Sequence, residues 1–503
     1  MFAVYFASDR SSSGKSTVTL AFSRALKEAG YPLSVYKAGP DFIDPVILSE
    51  ALNSDVRVKN LDPFLIPDEH LTEWFFGGSE SAAKEPESAG NKNRNIRWEK
   101  AFVVESAMGL YDGNSYIIAR KFKLPAVLVM DCKRISSTMA SLVYGLKNYK
   151  KDVNVCGVIL NNISSARHYE IISKEIQAGI SGIKVFGYVL NNEAVFSIKE
   201  RHLGLAAPSI ESEQDKKTFD KTVSGIKDAV FKNVDFNLLI KTLKENSGDF
   251  NKLFKKSLAE AKNPAAGARE VNTINEPERP NPMPAPKLKP KPKIAVALDK
   301  AFFFYYNFNF EILKNFGAEI VFFSPLTDKS LPKGTRAVYI GGGYPEIYAG
   351  ALAENASVRK EIYEFFKNNG IIYAECGGLM YMCEKITYKR RNFAAAGIFP
   401  FRASMDKGRL SLGYRTVRLK EKTFLGDAGL TANGHEFHYS ELIEGEDKDI
   451  NIKNILEYES LSAPGVFKPE GYNILNAVGS YIHLSFYSNK TIAKNIVESA
   501  KNR

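Results

Sequence analysis

Residues 2–26 constrain the fold more than any other stretch of this 503-residue chain. Phe2–Phe6 (FAVYF) is apolar and strand-like, Ala7–Ser13 is a loop of small and polar residues, and Gly14-Lys15-Ser16-Thr17 follows. Val18, Leu20, Ala21, Phe22, Ala25 and Leu26 then recur at helical spacing. A strand, a small-residue loop, Gly-Lys-Ser-Thr and a helix form the setting of a phosphate-binding loop, where successive backbone N–H groups cradle anionic oxygens. Ser13, Gly14, Lys15, Ser16 and Thr17 are therefore the expected nucleotide contacts. Lys15 reaches the outer phosphates and the Ser16 hydroxyl is a ligand for Mg²⁺. The loop departs from G-x-x-x-x-G-K-[ST], because Asp9 stands where the first glycine is expected.

The following residues extend this start into an α/β domain. Leu33–Tyr36, Ala101–Val104, Pro125–Met130, Val155–Leu160 and Val185–Leu190 read as strands, and Ser136–Leu146 and His168–Ala178 as helices. That alternation predicts a doubly wound parallel sheet, with ligands beyond the carboxyl ends of its strands. Acidic residues fall at those ends. Asp41 and Asp44 lie in the stiff loop Lys37–Pro45 (KAGPDFIDP), and Glu105 closes its strand. Glu105, across from the phosphate loop, is placed for Mg²⁺, and Asp41 and Asp44 are placed for a metal ion or a substrate; the plainer reading of the two aspartates is turn capping. Gly77–Arg97 reads as an exposed polar insertion, and Glu200–Leu205 (ERHLGL) as a compact charged loop carrying His202.

A proline-dense run, Pro277–Pro292, reads as an extended linker, and Lys293–Leu298 (KIAVAL) starts a second sheet. The expected division is a phosphate-loop α/β domain at 1–210, a helical segment and linker at 211–292, and a second α/β domain at 293–503. In the latter, Ile371–Met380 (IIYAECGGLM) reads as a strand entering a tight turn that opens a helix, with Cys376 at the apex. A thiol at a helix N-terminus is expected to gain thiolate character and act as a nucleophile. The plain alternative is a small buried hydrophobe. Gly341-Gly342-Gly343 follows another strand and offers N–H groups for an oxyanion hole. A cysteine nucleophile needs a base. Of the six histidines, His435, His438 and His483 lie in this half, and His483 follows a late strand-like run. His483 is the expected base; His435 and His438 are expected to be structural or to face the substrate.

Composition narrows the function classes. Four cysteines without metal-site pairing fit a reducing, cytoplasmic setting, and no unbroken apolar run reaches a membrane span. The net charge of +11 comes from scattered lysines without an aromatic-interleaved basic motif, so no nucleic-acid partner is expected.

Taken together, KAGPDFIDP, NLDP (Asn60–Pro63), MGLYDG (Met108–Gly113), GVILN (Gly157–Asn161), ERHLGL, FYY (Phe304–Tyr306), GGGYPE (Gly341–Glu346), AECGGLMY (Ala374–Tyr381), GHEFHYS (Gly434–Ser440) and SYIHLSF (Ser480–Phe486) resemble the cobyrinic acid a,c-diamide synthase family. The resemblance implies an ATP-using domain similar to dethiobiotin synthetase, joined to a class I glutamine amidotransferase domain. It implies ATP and glutamine as co-substrates, Mg²⁺ as cofactor, and a corrinoid or related tetrapyrrole as substrate. Cys376 and His483 are then the catalytic pair, and Gly342, Gly343 and Gly377 bind the oxyanion and glutamine. Asp44, Tyr111, Asp112 and His202 are candidate substrate contacts. Amidation of nickel-sirohydrochlorin or hydrogenobyrinate is the alternative within the same chemistry, and a non-catalytic P-loop regulator is the alternative outside it. Self-association as a homodimer is left open. Many class I enzymes place a glutamate two residues after the base; Ser485 stands there in this chain.

Overall fold

The computed structural model describes residues 1–53, 56–77, 99–113, 115–191, 213–262, 291–444 and 452–503. Most of the Gly77–Arg97 insertion, the ERHLGL loop with His202, and most of the proline-dense run lie outside the described residues.

The N-terminal half is a seven-stranded parallel sheet: β1 (Phe2–Ala7), β2 (Leu33–Ala38), β3 (Lys59–Leu61), β4 (Ala101–Glu105), β5 (Ala126–Asp131), β6 (Val155–Ile163) and β7 (Lys184–Leu190). They stand in the order β3-β2-β4-β1-β5-β6-β7. Strands covered on both faces need near-continuous apolar sequence, and β1 and β4 are buried along their whole length. Helices α1 (Lys15–Glu28), α2 (Ile43–Ala51), α3 (Asp68–Gly77), α4 (Ser115–Lys121), α5 (Thr138–Tyr149) and α6 (Ala166–Gly179) form the connections. β1 runs directly into the phosphate loop. Its register pairs Phe6 with Glu105, and the β2–β4 register pairs Lys37 with Glu105. The sheet itself thus brings Lys37 and Glu105 beside the loop.

Helices α7 (Glu213–Phe231), α8 (Phe236–Asn246) and α9 (Gly248–Lys262) pack back on this domain. Val223, Ile226, Val230 and Leu239 share a core with Phe2, Val4, Phe6 and Phe22.

The C-terminal half comprises strands β8 (Lys293–Ala297), β9 (Phe302–Phe304), β10 (Glu319–Phe323), β11 (Thr335–Ile340), β12 (Gly342–Gly343), β13 (Ile371–Glu375), β14 (Cys383–Tyr388), β15 (Arg391–Ala394), β16 (Phe399–Ser404), β17 (Ser411–Leu419), β18 (Thr431–His438), β19 (Glu441–Glu444), β20 (Lys453–Ser460), β21 (Ala463–Ile474), β22 (Ala477–Ser480) and β23 (Ile482–Leu484). Its helices are α10 (Asn307–Asn315), α11 (Ala349–Glu354), α12 (Ala356–Lys367), α13 (Gly377–Met382) and α14 (Lys490–Lys501). The main sheet has ten strands in the order β10-β8-β11-β13-β22-β21-β20-β17-β18-β23. From β10 to β22 neighbours are parallel; from β22 onward they are antiparallel. The parallel half carries the cysteine turn. The antiparallel half curls back so that β18 pairs with β23 and His435 faces His483 in register.

The two halves share one apolar cluster. Phe42, Leu61, Leu65 and Trp74 from the first pack with Phe304, Tyr306, Phe308, Ile482 and Phe486 from the second. Among the described residues, no helix is long and apolar enough to cross a membrane.

Candidate active site

Cys376 ends β13 with φ 52° and ψ −109°, a left-handed backbone that costs a non-glycine residue roughly 1–3 kcal/mol. The surroundings hold it there: its N–H donates to Ser480 O at 2.7 Å, and its carbonyl accepts from Met380 N at 3.1 Å. Gly342 lies against the turn. A Cβ on Gly342 would stand 2.8 Å from His483 Nε2 and 3.2 Å from Cys376 Cβ, so no larger residue fits. His483 and Cys376 therefore both border Gly342, with the Cε1–Nε2 edge of the imidazole turned toward it.

The thiol is 4% exposed and contacts Phe437 O at 3.5 Å as a weak donor. Burial pushes it well above the usual cysteine range; the Gly377 N–H opposes this, while Glu346, Glu375 and Glu436 push it further up. The expectation of a helix-stabilised thiolate is corrected here. The helix behind the thiol, α13, spans only six residues, and burial together with three carboxylates outweighs its dipole. The group is a thiol that needs a base.

Around it lies a cleft of about 250 Å³, lined in part by Tyr344, Glu346, Met380, Phe437, His438 and Tyr439. That is below the range of drug-sized ligand sites and suits an amino acid. His438 forms one wall, stacked on Tyr481 with ring centroids 3.7 Å apart. Its Nε2 lies 2.8 Å from Glu436 Oε1 and its Nδ1 2.9 Å from Ser440 O. Glu436 also pairs with Arg415 at 2.7 Å. Burial raises the Glu436 pKa, but the hydrogen bond from His438 and the Arg415 charge hold it at about 2. His435 is buried and held down to about 3, so it stays neutral.

The phosphate loop is built as its spacing predicts. Gly14 takes φ 93° at the start of α1. Lys15 Nζ donates to Ser8 Oγ at 2.9 Å and Arg10 O at 3.0 Å, and burial lowers it to about 8. Asn161 Nδ2 fixes Ser13 O at 2.9 Å. Arg10 pairs with Asp9 and reaches Asp131 at 2.9 Å. Thr17 lies in the first turn of α1, partly buried.

Beside the loop, Ser16 Oγ donates to Glu105 Oε1 at 2.6 Å and meets Asp44 Oδ2 at 3.2 Å. Lys37, 1% exposed, stands among the carboxylates. It pairs with Asp44, with Glu105 at 2.7 Å and with Asp41 at 3.7 Å. Burial opposes its charge, but Glu105, Asp44 and Asp41 hold the ammonium far above the ordinary lysine range. Asp44 is lowered, since Lys37 outweighs burial, whereas burial raises Glu105 and takes Asp41 to about 7. Sequence reasoning quoted Lys37 inside its motif and assigned it no role; its place at a strand end, before two aspartates, was the available signal.

Among the described residues no three His, Cys, Asp or Glu side chains are grouped closely enough to hold a metal. The donors nonetheless fit a hard cation that keeps most of its waters. They are all oxygens, and Glu105 Oε2 is buried without a hydrogen-bond partner. Asp41 Oδ1 also caps α2 by accepting from Ile43 N at 2.8 Å. Tyr111 and Asp112 are engaged elsewhere. The Tyr111 hydroxyl donates to Leu146 O at 2.7 Å, and Asp112 Oδ2 accepts from Gly109 N at 3.1 Å.

The two sites meet. Phe42, between Asp41 and Asp44, lies 4.6 Å from the His483 ring and stacks on Phe304 at 5.2 Å. The seam is tied by Tyr414 OH to Asp62 Oδ2 at 2.5 Å, Asn433 Nδ2 to Phe64 O at 2.8 Å, and Ser485 Oγ to Leu65 O at 2.5 Å.

Comparison with known proteins gives concordant results. Residues 4–205 match the CobQ/CobB/MinD/ParA nucleotide-binding domain, and residues 293–491 match the CobB/CobQ-like glutamine amidotransferase domain. The chain is 33% identical to cobyrinate a,c-diamide synthase of Dehalococcoides mccartyi strain CBDB1, covering 98% of this chain and 96% of that one. It is 33% identical to the Picrophilus torridus protein of that name, covering 98% and 97%, and 30% identical to the Streptococcus sanguinis one, covering 97% and 96%.

Proposed function

The chain belongs to the cobyrinate a,c-diamide synthase family, and on that premise we propose that it converts the a and c acetate carboxylates of cobyrinate to amides. It is a carbon–nitrogen ligase that takes its amide nitrogen from glutamine and uses ATP. The observation that carries the finer reading is the contact of Phe42 with His483. It supports a reading in which the loop carrying Asp41 and Asp44 and the imidazole of His483 share one aromatic ring, so that the two chemistries adjoin.

In the glutaminase half, the Cys376 thiol attacks the side-chain amide carbon of glutamine while His483 Nε2 takes the thiol proton. The backbone N–H groups of Gly342, Gly343 and Gly377 receive the oxyanion. His483 returns the proton to the departing nitrogen, which leaves as ammonia. Water then hydrolyses the thioester to glutamate and restores the thiol. Glu346, in the cleft, anchors the glutamine α-ammonium.

In the synthetase half, Lys15 and the loop N–H groups of Ser13–Thr17 hold the ATP phosphates. Ser16 and Glu105, with Asp41 alongside, would hold Mg²⁺, which would neutralise charge at the phosphates. Lys37 faces the same point and offsets the charge of the γ-phosphate as a substrate carboxylate accepts it. The resulting acyl phosphate is attacked by ammonia, and phosphate leaves. A free carboxylate is a poor acyl donor, so activation has to precede amide formation. Asp44 borders this point as a contact for the macrocycle, whereas Tyr111 and Asp112 are engaged with Leu146 O and Gly109 N on the loop after β4.

Mass spectrometry of cobyrinate, nickel-sirohydrochlorin and hydrogenobyrinate, each incubated with ATP, Mg²⁺ and glutamine, tests the assignment. Two amides on cobyrinate are expected, and modification of another macrocycle alone overturns the choice of substrate. Cys376→Ser should lose glutamine use and keep ammonia use, whereas Lys15→Ala should lose both. Identical behaviour of the two variants with ammonia overturns the division of labour.

A further inference from the structure

The base at position 483 lacks the partner that the sequence suggested looking for. Ser485, two residues on, cannot serve, because its hydroxyl is committed to the Leu65 carbonyl across the domain seam at 2.5 Å. Yet His483 is 1% exposed, and among the described residues neither ring nitrogen has a hydrogen-bond partner. An imidazole that must gain a proton in such a place needs a compensating charge close by.

One carboxylate meets that need. Glu375 Oε2 lies 3.6 Å from His483 Nδ1, and both side chains are 1% exposed. Glu375 is itself held from three directions: Tyr339 OH donates to Oε2 at 2.7 Å, Tyr373 OH to Oε1 at 2.7 Å, and Leu484 N to Oε1 at 3.0 Å. Tyr373 lies on the glutamate's own strand, Tyr339 on the neighbouring β11, and Leu484 follows the histidine, so the carboxylate and the ring are registered to each other by backbone. The geometry also sorts the two nitrogens. The ring edge carrying Cε1 and Nε2 faces Gly342, where a Cβ would stand 2.5 Å and 2.8 Å from them, and Nδ1 is the nitrogen that lies within 3.6 Å of Glu375.

We propose that Glu375, immediately before the nucleophile, is the positioning carboxylate of His483, keeping the proton on Nδ1 and stabilising the imidazolium formed at Nε2. The assignment rests on the reading of Cys376 and His483 as the glutaminase pair. It replaces a partner on the histidine strand with one on the cysteine strand. Separations of this size commonly shorten in the reacting complex.

The other titratable groups near the ring are Cys376, His435 on β18, Tyr339 and Tyr373 behind Glu375, and Asp41 beside Phe42. His435 stays neutral at all working pH values.

The test compares wild type, Glu375→Gln, His483→Ala and the double variant in glutamine-dependent and ammonia-dependent amidation. Glu375→Gln is expected to lower kcat with glutamine by about 10- to 100-fold with little change in KM. The rate with ammonia should stay within about twofold of wild type, since the synthetase chemistry does not use this pair. Removing the negative charge should move the acid limb of the glutaminase pH profile to lower pH, because the imidazolium loses its stabiliser. In the His483→Ala background the same change should cost nothing further. An unchanged kcat and pH profile overturns the proposal, as does full additivity of the two changes. Ring ¹⁵N shifts of selectively labelled histidine in the wild type supply a check that needs no variant: the Nδ1–H tautomer is expected at His483, and the Nε2–H tautomer overturns the assignment. Glutaminase activity that survives Cys376→Ser instead overturns the underlying reading of the pair.

Discussion

Glu346 stands in the cleft beside Cys376 with its carboxyl pushed up to about 7 by burial. An anion here is costly unless a cation pairs with it, and the ammonium of an amino acid supplies one. The sign follows: the ionised form that binds the ammonium is lost as pH falls through about 7. kcat/KM for glutamine should therefore decline below that pH, and Glu346→Gln should raise KM about tenfold and remove that part of the dependence. Steady-state kinetics between pH 5.5 and 8.5, a range bracketing that value, checks it, and an unaltered KM in the variant rejects the anchor. Lys37 and Glu375 teach a related lesson. Both lie inside short motifs, Lys37 with only its place at a strand end before two aspartates as a signal and Glu375 with none. A lysine becomes part of a carboxylate cluster, and a glutamate the partner of a histidine 108 positions away, only when the strands are paired.

At the level of elements, the loop between β2 and α2 belongs to both sites. Asp41 and Asp44 face the phosphate loop's serine and Lys37, while Phe42 turns the other way onto His483, Phe304 and Tyr306. On the proposed function, a ring in this position would seal the seam between the half that releases ammonia and the half that consumes it. Phe42→Ala is expected to leave ammonia-dependent amidation within a few-fold of wild type while glutamate released per amide formed rises severalfold. Assaying both products in one reaction measures the ratio, and an unchanged ratio means that Phe42 does not seal the passage. Asn60–Pro63, the NLDP motif, lies at the domain seam: Asp62 caps Phe64 N and Leu65 N through Oδ1 and accepts Tyr414 OH at Oδ2. A turn-capping aspartate and an interdomain acceptor look alike in sequence, because the second role depends on a residue 352 positions away.

Across the whole molecule, one apolar cluster runs through both halves, and Trp74 is at its centre. Trp74 is 3% exposed, packs its ring against Phe308 and Tyr487, and donates Nε1–H to Asn60 O at 2.8 Å. Because the halves bury this surface against each other, they should unfold together. Scanning calorimetry should give one transition, and Trp74→Ala should cost about 3–5 kcal/mol, the usual range for truncating a large buried ring. Two resolved transitions in the wild type would show that the seam is too weak to couple the halves.

Local pattern determined much of this protein. The strand-loop-helix at residues 2–26, the cysteine turn at 371–380 and the two-half α/β architecture depend on short-range periodicity, on glycine where backbones approach, and on small motifs whose chemistry is carried by neighbours in the chain. Tertiary structure decided the rest. It buried the Cys376 thiol and brought Glu346 and Glu436 near it from other elements, which, with the neighbouring Glu375, pushes the thiol upward against the Gly377 N–H. It also packed α7–α9 back on the first domain and placed Phe42 between the two chemistries. Desolvation and through-space charge depend on what surrounds a group in three dimensions, and the order of residues along the chain does not specify those surroundings locally.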